Sequence, residues 1–184
     1  EDVASVVNNL ELNNVILIGH SMGGSVIIEA AKRLKEKVIG LIGVDTYQSF
    51  TDDYTPEQKE GFLHSFNEDF ENTTVNFVKS MFPPDADQIL VQKISQDMSQ
   101  APSQIAISAM RNLFYYNPLP VLKEIELPII SINCDMYPIN LEENKNHVKS
   151  FEVKMMQGVG HFIMLERPEE FNSLLAEAVN KLLS

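Results

Sequence analysis

The sequence predicts an α/β fold built on a parallel sheet of about four strands. Three observations carry this. Short apolar runs alternate with amphipathic patterns of helical period. The chain has 184 residues, 44% of them hydrophobic and 22% charged, which suits one domain with a substantial core. Its middle third shows helical apolar spacing and no strand pattern.

Each element follows in order. Residues 2–10 place Val3, Val6, Val7 and Leu10 on one helical stripe, and Asn13-Asn14 signals a turn. Val15–Ile18 is wholly apolar, as strands inside a parallel sheet are. A helix is expected from about Met22 to Leu34, with Val26, Ile27, Ala30 and Leu34 inward; Lys32, Arg33 and Lys35 complement the negative end of its dipole. Val38–Val44 is a second strand that ends at Asp45, closing a right-handed βαβ unit. Residues 51–118 carry Phe62, Phe66, Phe70, Phe77, Met81 and Phe82 at largely helical intervals, and read as three or four helices broken at Pro83-Pro84 and Pro102. Leu127–Ile132 is a third strand. Phe151–Met156 is a fourth, near the sheet edge. Pro168 opens a closing helix with Phe171, Leu174, Leu175, Ala178 and Leu182 on one face. The division is therefore a core of residues 1–50 and 119–184, with residues 51–118 inserted as a helical lid or cap.

Composition removes several function classes. A net charge of −12 argues against a nucleic-acid partner. No apolar run approaches the roughly 20 residues of a membrane span. Cys134 is the single cysteine, so no internal disulfide forms, and this usage suits a reducing, cytoplasmic compartment. No signal peptide is visible, and the chain reads as if it begins inside a domain.

The chemistry centres on Gly19-His20-Ser21-Met22-Gly23, directly after an apolar strand. Gly-x-Ser-x-Gly at a strand-to-helix turn holds a serine hydroxyl in open space. Ser21 is the candidate nucleophile, and the Met22 amide the candidate oxyanion-hole donor. A serine hydroxyl needs a base. His161, in Gly158-Val159-Gly160-His161-Phe162 after the last strand, fills that role, because strand ends of a parallel sheet gather at one rim.

VILIGHSMGG (residues 15–24) together with GVGHFIMLERP (residues 158–168) resembles the α/β-hydrolase superfamily. The resemblance covers nearly the whole chain and implies a truncated α/β-hydrolase core with a helical lid. It also implies an acid that orients His161. In the family this acid usually follows the third strand in a Gly-x-x-Asp pattern. Here Cys134 falls on the glycine and Tyr137 on the acid, with Asp135 two residues early. The other choice is Asp45, one strand earlier, an arrangement some members have. Asp45 is the favoured acid and Asp135 the alternative. The family also has strands before the nucleophile strand and a loop giving a second oxyanion-hole donor, and neither has a counterpart here. The expectation is a fragment of a longer protein whose Val15–Ile18 edge pairs with the missing N-terminal segment or a second chain.

The remaining candidates read as structural. His20 is expected to support the turn. His64 and His147 are expected in solvent, without metal-ligand spacing. Cys134 reads as a small buried thiol, and Asp52-Asp53 and Glu142-Glu143 as a solvated face. The functional expectation is a serine hydrolase acting on small to medium apolar esters, thioesters or lactones, with a small-molecule acyl substrate and no metal or organic cofactor implied. Its rivals are a cofactor-free haloperoxidase or C–C bond hydrolase relative, and a non-catalytic binding protein of the same fold.

Overall fold

The computed structural model describes residues 1–51 and 54–184; Asp52 and Asp53, part of the expected acidic face, lie outside the described residues. Its elements are α1 (Asp2–Asn9), β1 (Val15–His20), α2 (Gly23–Leu34), β2 (Val38–Val44), α3 (Pro56–Glu68), α4 (Phe70–Ser80), α5 (Gln88–Ser99), α6 (Ser103–Phe114), α7 (Leu119–Leu122), β3 (Pro128–Cys134), α8 (Leu141–His147), β4 (Ser150–Met156), α9 (Ile163–Glu166) and α10 (Pro168–Leu183). The four strands form one parallel sheet in the order β1-β2-β3-β4.

Both faces of the sheet are covered, and alternate residues of each strand serve opposite cores. Leu41 and Ile129 point to the side packed by α2, with Ile28, Ala31 and Phe151. Ile42, Ile130 and Ile132 point to the side packed by α10, with Phe171 and Ala178. This two-sided burial explains why the central strands read as continuous apolar runs.

The inward face of α2 is Ile27, Ile28, Ala30, Ala31 and Leu34. Val26, expected inward, is 47% exposed, because it lies about 100° around the helix from Ile27. In α1 the expected stripe is only half realised: Val7 is buried against α2, but Val6 and Leu10 are exposed. β1 sits at one edge of the sheet, with Ile18 48% exposed.

Among the described residues, the segment between β2 and β3 is helical and strandless. α3 begins with a capping box: Thr55 accepts from the Gln58 amide while the Gln58 side chain accepts from the Thr55 amide. Phe62, Phe66, Phe77 and Phe114 meet edge to face or tilted, with ring centroids 5.1–5.8 Å apart. Val78, Met81, Phe82, Val91 and Ile94 form a second small core, closed by Phe162 from outside the segment. No described helix is long and apolar enough to cross a membrane.

Candidate active site

β1 delivers the chain into a tight turn. Ser21 takes φ 52°, in the left-handed region, and its amide donates to the Val44 carbonyl at 3.0 Å, so the turn is tied to the end of β2. Gly19 permits it, because a Cβ there would overlap the Gly23 backbone. The Gly24 amide then returns to the Ser21 carbonyl at 2.9 Å and α2 begins. The amides of Met22 and Gly23 lie at this helix start, ahead of the ladder.

Asp45 leaves β2 with φ 42°, its amide bound to the Ile132 carbonyl at 2.8 Å. Its carboxylate is fully buried and divided between two partners. Oδ1 accepts from the Cys134 amide at 2.9 Å, and Oδ2 lies 2.5 Å from His161 Nδ1. A carboxylate only accepts, so Nδ1 carries the hydrogen, and the tautomer this selects in a neutral ring has Nε2 as its acceptor.

Asp135 lies elsewhere: its Oδ1 accepts from the Gly158 amide at 2.9 Å, fastening the loop before His161. Arg167 helps, donating to the Gln157 and Gly158 carbonyls at 2.9 and 3.2 Å.

His161 is held by its backbone as well. Its amide donates to the Met81 carbonyl at 2.8 Å, and its carbonyl is 2.9 Å from His20 Nε2. Gly160 has no side chain where Met81 and Phe82 press against it; a Cβ would overlap their backbone. Both Glu166 oxygens lie about 3.0 Å from the Gly160 amide. Burial nonetheless pushes the Glu166 carboxyl above its usual range. His20 is shifted below its usual 6.5, first by burial and then by His161. The Cys134 thiol is pushed up to about 12, mainly by burial and then by the Asp45 charge.

Ser21, Asp45 and His161 line one cavity of about 680 Å³. Phe77, Met81, Leu113 and Phe114 give it an apolar wall from the helical segment. Gln48, Ser49, Tyr137 and Asn140 add hydroxyl and amide groups to its lining. Among the described residues, no lysine or arginine lines it. The buried Asn144 shapes the polar wall, donating to the Tyr47 carbonyl and accepting the Phe50 amide.

His64 is exposed and pairs with Glu68 at 3.2 Å. Glu142 is solvated as expected, but Glu143 accepts from the Thr51 hydroxyl at 2.9 Å, tying α8 to the loop after β2. Three contacts at His161 and the adjacent Gly160 had no sequence signal or a weak one. The Met81 acceptor is a carbonyl that any residue supplies. His20 gave no hint of its reach beyond the turn. Glu166 lies in GVGHFIMLERP with no role that its residue type alone assigns.

The model of the family described as alpha/beta hydrolase family matches residues 1–174. A Haemophilus influenzae protein described as a candidate esterase/lipase is 41% identical over 64 residues, which span 35% of this chain and 20% of that protein. Among solved structures, an esterase from Exiguobacterium antarcticum superposes with a TM-score of 0.82 at 20% identity, over 100% of this chain and 72% of that one. A bromoperoxidase from Bacillus anthracis gives 0.77 at 18% identity, over 99% and 71%. At such identities the structural likeness concerns the fold.

Proposed function

This chain belongs to the α/β-hydrolase family, and we propose that it is a serine hydrolase cleaving small to medium apolar carboxylic esters, thioesters or lactones through an acyl-enzyme. The observation that carries the reading is the 2.5 Å contact of Asp45 Oδ2 with His161 Nδ1, beside a cavity that His161 shares with Ser21.

With Nδ1–H committed to Asp45, Nε2 of His161 takes the proton of the Ser21 hydroxyl as its oxygen attacks the carbonyl carbon. The Met22 amide, at the start of α2, stabilises the oxyanion. The tetrahedral intermediate collapses as His161 gives its proton to the departing alcohol or thiol. Water, deprotonated by His161, then attacks the acyl-enzyme, and Ser21 leaves with the returned proton. Asp45 stays ionised and holds the imidazolium that forms in each half-reaction.

The apolar wall of Phe77, Met81, Leu113 and Phe114 suits the acyl chain, and the segment 51–118 acts as the lid over it. A cavity of about 680 Å³ without a lining cation among the described residues favours an uncharged ester of modest size.

The test is Ser21→Ala, assayed with p-nitrophenyl butyrate and a fluorophosphonate probe. The wild type is expected to turn over the ester and take up the probe, and the variant to lose at least about 10⁴-fold in kcat and all labelling. Turnover retained by Ser21→Ala removes Ser21 from the mechanism. A wild type that neither hydrolyses nor labels turns the assignment to a non-catalytic binding protein.

A further inference from the structure

Every buried backbone polar group needs a partner, and the two of His161 find theirs in different parts of the fold. The amide goes to Met81, in the helical segment, at 2.8 Å. The carbonyl goes to the side chain of His20, the residue immediately before Ser21, at 2.9 Å. A carbonyl can only accept, so His20 Nε2 carries the hydrogen. The two imidazoles lie with centroids 4.6 Å apart and tilted by 41°, and Phe162 flanks His20 at 5.6 Å.

The other anchors of His161 run to elements distant from the serine in sequence. Asp45 belongs to the end of β2 and Met81 to the end of α4. His20 alone among these starts from the serine's own turn. Its hydrogen bond completes a short path from Ser21, through one peptide link and one ring, to the His161 backbone.

We propose that His20 is a positioning residue, tying the carbonyl of His161 to the serine turn so that His161 Nε2 and the Ser21 hydroxyl keep one fixed spacing. This rests on the hydrolase reading above. The ring works as a neutral donor, and its half-buried place against His161 and Phe162 fixes its orientation. A loss of alignment of about 1 Å between nucleophile and base is worth roughly 10²-fold in rate.

The test compares His20→Gln, whose amide nitrogen can reach the same carbonyl, with His20→Phe, which fills the ring's space without a donor. All are assayed on p-nitrophenyl butyrate and titrated with the fluorophosphonate, and their melting temperatures are recorded. His20→Phe is expected to lose about 30- to 100-fold in kcat with KM within about twofold of wild type. His20→Gln is expected to return to within about fivefold. If His20→Phe fails to fold, His20→Leu takes its place. The proposal is overturned if the apolar variant keeps the kcat of His20→Gln, or if His20→Gln falls as far as the apolar variant. Failure of the hydrolase reading is separate: then the wild type itself neither labels nor turns over.

Discussion

Asp45 and His161 stand 116 positions apart in the chain, yet Oδ2 of one lies 2.5 Å from Nδ1 of the other. The loop after β4 brings the imidazole back to the end of β2, two strands inward. The second Asp45 oxygen is taken by the Cys134 amide, so the carboxylate cannot swing away without stranding a buried N–H.

Substituting the two carboxylates separates their roles. Asp45→Asn offers Nδ1 an amide in place of an acceptor and favours the wrong tautomer, so kcat is expected to fall about 10³- to 10⁴-fold. Asp135→Asn removes a charged acceptor from the Gly158 amide only. Its kcat is expected to stay within about fivefold of wild type, with a drop of a few degrees in melting temperature. Steady-state assays on the same ester decide it; a larger loss in the Asp135 variant would reverse the assignment.

The stability of the fold is expected to carry a signature of His20. Burial and His161 lower its folded-state pKa below 6.5, while its bond to the His161 carbonyl and the Asp45 charge oppose them less strongly. The unfolded chain then binds the proton more readily. The contribution of His20 is complete above pH 6.5 and is lost as the pH falls through the depressed folded value. Urea midpoints of wild type and His20→Gln should differ more in favour of wild type at pH 7.5 than at pH 5.5. An unchanged difference would mean that the ring does not titrate across this range.

Cys134 offers a chemical check on the same region. It is 1% exposed, and its thiol is pushed up to about 12 by burial and the neighbouring Asp45. Thiolate is the reactive form, so iodoacetamide at pH 8 should leave the native protein unmodified by mass. One alkylation should follow in guanidinium. Rapid modification of the folded chain would mean that the β3 end opens.

Much of this architecture was legible in the residues because it rests on periodicity and on side chains of narrow use. Apolar runs marked three strands and an alternating pattern the fourth, and Gly19 through Gly23 marked a turn that few other residues could make. What stayed hidden was geometry carried by the main chain. The residues alone favoured Asp45 over Asp135 without showing how it is aimed; it reaches the imidazole because of its left-handed turn at φ 42° and the Ile132 carbonyl that pins it. Val6, Leu10 and Val26 show the opposite error, apolar by type yet exposed, because periodicity does not say whether a neighbour arrives to cover a face.

The carbonyl of Met81 has a mechanical implication for traffic into the cavity. It accepts from the His161 amide at 2.8 Å, and Phe82 beside it stacks on Phe162 with centroids 5.2 Å apart. Raising the turn between α4 and α5 would therefore strip the histidine loop of a partner and drag its next residue along. Admission by that route and slackening of the imidazole are a single event.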